Sequence, residues 1–155
     1  MGKLDGKVTV DNGVVSTKTE SHWNCKCYPI SLKQSIQDGQ SFRINIVDAA
    51  DKYFRIGVGI SDLKPANWDE LKNNVCIHPN GYLCSDGAQQ KLNFTLETGQ
   101  TVEVRRRGDT VEWRRNGELI CSAPIPNSML NRPLFPLCWI ASLPFASMIS
   151  KLQFV

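Results

Sequence analysis

Long apolar runs are missing from this 155-residue chain. No segment approaches the roughly 20 apolar residues that a spanning helix needs, so no membrane association is expected. The opening MGKLDGKVTVDNG has no apolar h-region for a signal peptide, and Gly6 stands where a myristoylation motif requires Ser or Thr. An intracellular setting, cytoplasmic or nuclear, is therefore expected, with the six cysteines as reduced thiols. Charge of one sign is not in excess. Eighteen Lys and Arg against 15 Asp and Glu leave a net +3, so the overall field selects no partner. Helix signals are sparse too. The best is NWDELK at 67–72, one or two turns capped by Asn67 with acids in the first turn, followed by a possible short turn at 31–36. Internal repeats, low-complexity tracts and linkers are absent, which points to one domain over 1–155, with 41% hydrophobic residues to build its core.

What is present is β-patterning. Val102 and Val104 alternate with Glu103 and Arg105, and Val111 and Trp113 alternate with Glu112 and Arg114. Gly108-Asp109 separates these runs and Asn116-Gly117 follows the second, before Glu118-Leu119-Ile120. An Asn-Gly pair accepts positive φ at both central positions of a type I′ turn, so residues 98–120 read as a three-strand meander with one face on a core. Further strands are expected at 41–47 (Phe42, Ile44 and Ile46 on one face), 53–60, 92–96, 134–140 and 147–155, the last with Met148, Ile149, Leu152 and Phe154 as apolar members. The glycines in YFRIGVGI suggest close packing or a bulge. Turn residues at Asp11-Asn12-Gly13, Asp38-Gly39, Pro79-Asn80-Gly81, Asp86-Gly87, Gly108-Asp109 and Asn116-Gly117 punctuate these runs, as expected of a sandwich or barrel.

Catalytic and metal chemistry find little support. There is no nucleophile elbow, phosphate-cradling glycine loop or HExxH helix. A Cys–His pair could be drawn from Cys76 or Cys84 with His78, but no orienting third group is evident, and His78 before Pro79 reads as a loop residue. His22 with Cys25 and Cys27, or Cys76 and Cys84 with His78, offer zinc-type ligands without C-x₂₋₄-C pairs. Cys121 and Cys138 fall in strand-like runs. Buried thiols are the better reading. No enzyme activity, cofactor or metal is expected.

The order of segments resembles the SPRY domain family. Asp38-Gly39-Gln40-Ser41-Phe42-Arg43-Ile44 is similar to the family's "G-x-h-Y-F-E-V" strand, and residues 54–62 (FRIGVGISD) to its "h-x-h-G-V-A" strand. Residues 80–87 (NGYLCSDG) are similar to "G-Y-x-x-x-G", residues 98–120 to the meander ending in "N-G", and residues 134–139 (LFPLCW) to "L-Y-P-A-V-x-L". The resemblance runs from about Ser35 to Val155 and is weaker over 1–34. Arg105 to Arg107 depart from the family's acidic or small residues, and no PRY extension is evident. The resemblance implies an all-β fold: a bent antiparallel β-sandwich of two sheets, a concanavalin-like jelly roll with little helix. It also implies a non-catalytic module that binds a peptide or protein partner through loops at one end, as part of a larger intracellular complex. The corresponding loops are 62–71 (DLKPANWDEL) and 141–146 (ASLPFA). The implied contacts are Leu63, Lys64, Pro65, Asn67 and Trp68 in the first, and Ser142, Leu143, Pro144 and Phe145 in the second. Trp68 is either an exposed anchor or a lid over the core, and Leu143 and Phe145 either form an exposed patch or plug the core.

The rival reading is an RNA or acidic-ligand binder working through an arginine ribbon. Alternation directs Arg105, Arg107 and Arg114 to solvent and Arg106 inward or to a strand end; Arg115 completes the basic cluster. Glu103, Glu112 and Glu118 partly offset it, and the aromatic platform of single-strand binders is missing because Trp113 shares the inward phase. A lectin activity is also conceivable for such a sandwich, but no Asp/Asn calcium loop is evident. Oligomeric state is not legible.

Overall fold

Backbone hydrogen bonds pair the described residues into two antiparallel sheets of seven strands each. A computed structural model describes residues 8–11, 14–17, 26–49, 52–67, 70–141 and 150–155. The first sheet runs β1 (Val8–Asp11), β2 (Val14–Thr17), β14 (Lys151–Phe154), β4 (Ser41–Asp48), β10 (Thr101–Arg107), β11 (Thr110–Arg115) and β12 (Glu118–Pro124). The second runs β6 (Ala66–Asn67), β3 (Lys26–Ser31), β13 (Phe135–Ala141), β5 (Phe54–Gly59), β7 (Asn74–His78), β8 (Tyr82–Ser85) and β9 (Ala88–Lys91). The fold is the expected all-β sandwich.

Its core lies between the sheets. Ile44 and Ile46 from β4, Val102 and Val104 from β10, and Val111 and Trp113 from β11 face Phe54, Ile56 and Val58 from β5 and Val75 and Ile77 from β7. Only strands with period-2 alternation can turn one complete face inward in this way. Trp113 also joins the sheets directly: its indole Nε1–H donates to the Ile56 carbonyl at 3.0 Å, so the largest core side chain buries no unpaired donor. The meander forms as its turns dictate. Asn116 and Gly117 have φ of 48° and 88°, the two positive values of a type I′ turn, whereas at Gly108-Asp109 only Gly108 is positive, at 60°.

The central strands of the second sheet are buried on both sides. A second cluster of Cys27, Leu71, Cys76, Leu137, Trp139 and Ala141 covers its outer face. This is why β5, β7 and most of β13 show unbroken burial rather than alternation. The two glycines of β5 belong to this packing. A Cβ at Gly57 would stand 2.0 Å from the Val75 carbonyl oxygen, and one at Gly59 would stand 2.8 Å from both Leu137 and Leu63.

Several local expectations need correction. Residues 92–96 form no strand; Leu92 N donates to the Gly81 carbonyl and Leu96 N to the Pro79 carbonyl, so the segment crosses the β7–β8 turn and buries Phe94 and Leu96 without pairing. Asn67 belongs to β6, which pairs with β3; of the expected short helix at 67–72, residues 68 and 69 lie outside the described residues and Glu70 is in a 3₁₀ turn. Ser31 ends β3, and the chain through Ile36 is bent rather than helical. His78 is the last residue of β7 and is buried, not a loop residue. In the last segment β14 begins at Lys151, with Leu152 buried; Met148 and Ile149 lie outside the described residues.

Candidate functional site

The connection from β5 to β7 builds the outer face of the second sheet. Its neck is closed where Ile60 N donates to the Asn73 carbonyl at 3.1 Å, and Asn73 N in turn donates to Asp86 Oδ1 at 2.8 Å. Between these points Leu63, Ala66 and Leu71 pack onto the Trp139 cluster. Leu63 is half-buried, while Lys64, Pro65 and Asn67 stand exposed. The apolar members of this loop are its anchors, and its polar and proline members face solvent. Trp68 lies outside the described residues.

Pairing brings the described flanks of both candidate loops to one end of the sheet. Ala66 is opposite Cys27 on β3, and Cys27 is opposite Ala141 at the end of β13. With one strand between them, Ala66 and Ala141 are about 10 Å apart at ordinary strand spacing. Ser142, Leu143, Pro144 and Phe145, which follow directly, lie outside the described residues. Sequence reasoning weighed Cys27, the residue between these flanks, only as a zinc-type ligand or buried thiol, and did not expect its strand. The apolar positions of KCYPIS were the available signal.

A row of polar side chains crosses the same outer face. Arg55 pairs with Trp139 on one side, and His78 pairs with Tyr82, which pairs with Lys91. His78 Nδ1 accepts from Asn80 N at 3.1 Å, and its ring meets Tyr82 edge-on at 6.1 Å. The ammonium of Lys91 lies 4.8 Å above the Tyr82 ring. Burial, reinforced by Arg55, Lys91 and Lys52, lowers the pKa of His78 from 6.5 to about 4. The imidazole is therefore neutral at physiological pH. The described cysteines, Cys27, Cys76, Cys84, Cys121 and Cys138, are buried and form no disulfide. Burial raises the Cys76 and Cys84 thiols and pushes Cys121 up to about 11, the opposite of what an activated thiolate nucleophile requires. Among the described residues no three His, Cys, Asp or Glu side chains gather into a metal-binding group. His22 and Cys25 lie outside them.

The arginines occupy the outer face of the first sheet. Arg105 is opposite Glu112 and Arg114 is opposite Glu103, which in turn is opposite Arg43 of β4. Arg106 has the inward phase and donates from Nη1 to the Ile36 carbonyl at 3.1 Å. Arg115 also leaves the ribbon: it pairs with the core residue Val102, and its Nη1 donates to the Thr95 carbonyl at 2.7 Å. Arg43 is the member that sequence reasoning missed. Its alternation with Phe42 and Ile44 carried the signal, but its neighbours depend on which strand pairs with β4. A shallow cleft of about 300 Å³ between Ile36, Phe42 and Pro136 sits at the other end of β13 from Ala141.

No family model matches the chain, and no curated protein matches its sequence. Solved structures do resemble its fold. A human SPRY domain superposes with a TM-score of 0.74 at 17% identity, covering 96% of this chain and 94% of that one. The SPRY domain of human HERC1 gives 0.68 at 15% identity, covering 95% and 91%. The TRIM65 PSpry domain gives 0.64 at 12% identity, covering 96% and 83%. Among the described residues no helix is long and apolar enough to cross a membrane. With two seven-stranded sheets in this order and these structures alongside, the chain has a SPRY-like fold.

Proposed function

We propose that this chain is a non-catalytic interaction module that binds a protein or short peptide through loops 62–71 and 141–146, within a larger intracellular assembly. The observation that carries this reading is the Ala66–Cys27–Ala141 row, which gathers the described flanks of two loops distant in sequence at one end of a rigid sheet. Exposed Lys64, Pro65 and Asn67 beside anchored Leu63 and Ala66 give that end a fixed, mixed surface. Scaffold-mounted loops of this kind are a common way to build recognition sites. The buried, protonated thiols and the neutral His78 favour binding over catalysis. The likeness to SPRY domains supports the same reading by analogy of fold.

Affinity purification from native cells with the intact chain, and with Trp68→Ala and Phe145→Ala, tests it. We expect folded variants that lose most of the captured partner, about tenfold or more each if these side chains are hot spots. Folded variants that retain every partner would remove the loop site.

A further inference from the structure

The outer face of the first sheet is a patterned surface that the loop reading does not use. Its carboxylates are sunk and its guanidiniums stand above them. The Glu103 side chain is 18% exposed against 63% for Arg43, and Glu112 is 14% exposed against 64% for Arg107. The face that solvent meets is therefore more basic than its four arginines, Arg43, Arg105, Arg107 and Arg114, against Glu103 and Glu112 would give by formal charge alone. The pairs are also loose. Arg43–Glu103, Arg107–Glu112 and Arg114–Glu112 measure 3.5, 3.7 and 3.9 Å, longer than the 2.7–2.9 Å or so of a charge-assisted hydrogen bond. Arg105 Nε and Glu112 Oε1 are buried with no hydrogen-bond partner among the described residues. Each guanidinium carries five N–H donors, so these contacts leave donors available for another acceptor.

We propose that this face is a second docking surface, one that takes an extended acidic segment of a protein partner, with Asp or Glu at every second residue, across Arg43, Arg105, Arg107 and Arg114. The spacing argues for an extended peptide. Arg105 and Arg107 are two residues apart on β10, about 6.8 Å, the repeat at which an extended chain presents side chains on one face. Arg114 and Arg43 lie on the strands to either side of β10, so acidic groups displaced sideways still meet a guanidinium. Charge complementarity is thus periodic, not merely net. A single-stranded nucleic acid fits less well, because among the described residues this face offers no aromatic platform: Trp113 is wholly buried on the other side. Leu119, opposite Arg114 and 47% exposed, adds an apolar shoulder that serves a peptide better than a phosphate chain.

Fluorescence anisotropy with a labelled (Glu-Thr)₆ peptide and the intact chain tests this independently of the loops. Binding should weaken as salt rises and fall about tenfold or more in Arg43→Glu/Arg107→Glu. Those two heads are exposed, so folding should survive, checked by thermal melt; Arg43→Gln/Arg107→Gln serves if it does not. Glu112→Gln should tighten binding. Lys33→Glu/Lys72→Glu, with the same change in net charge elsewhere, and Trp68→Ala should leave it unchanged. Equal loss in the lysine variant, no salt-sensitive binding at all, or tighter binding of a 12-nucleotide oligouridylate would each overturn the proposal.

Discussion

A Cβ placed on Gly57 would stand 2.0 Å from the Val75 carbonyl oxygen, 2.7 Å from Cys76 Cα and 2.9 Å from Cys76 Sγ. Two of those three atoms are backbone, so relief requires β5 and β7 to separate while they remain hydrogen-bonded partners. Gly57→Ala should therefore cost about 3 kcal/mol or more, read as a lower urea midpoint, in the range of severe overpacking. Gly99→Ala, with φ of 88° but open space around it, carries only the left-handed backbone strain of about 1–2 kcal/mol and is the natural comparison. The glycines of YFRIGVGI announced a close approach in the sequence. What approaches them was not legible, because β7 begins well beyond a connection that carries no periodic signal. Arg55 was equally opaque: it is almost fully buried two residues before Gly57, where alternation alone would leave it half in water.

Among the elements, the meander and β4 were legible almost to the residue. One side of each faces the main core and the other faces water, which imposes the period of two on the sequence. The central strands of the second sheet were harder to read because both their faces are covered, and a doubly buried strand reads only as an apolar run. Residues 92–96 misled for a related reason: Leu92, Phe94 and Leu96 alternate, yet their partners are a turn and the core rather than a neighbouring strand. Turn chemistry fares better. Gly117 at φ 88° closes the β11–β12 hairpin, and a Cβ added there would meet nothing within 4 Å, so its requirement is conformational alone. Gly117→Ala should lower the melting temperature by about 4 °C, the equivalent of roughly 1 kcal/mol, without changing the denaturant slope. The candidate loops were legible only through the family-like order of segments. Nothing in DLKPANWDEL alone says that Leu63 and Leu71 turn inward while Lys64 and Pro65 do not.

For the molecule as a whole, His78 links stability to pH. Its pKa in the folded protein, about 4, lies below the ordinary 6.5, so the unfolded chain binds a proton through the interval that the folded one refuses. Stability is thus fully present above about pH 6.5 and declines as pH falls toward 4, by up to about 3 kcal/mol from this group. Urea midpoints across that interval should fall in the native chain and fall less in His78→Asn; parallel curves would show that another group dominates. The global architecture was readable because many weak segment signals occur in one order. The surfaces were not, since exposure is decided by which strands become neighbours. One arrangement has a further consequence. The second sheet separates two apolar clusters that share no volume, the main core and the patch around Trp139 under the 60–73 connection. Their openings need not be coupled. Lifting the connection exposes Leu137, Trp139 and Ala141 while Trp113 stays bonded to Ile56, so the sandwich can pass through a partly open state without losing its cooperative centre. The hold on that cover is therefore set by the small cluster alone.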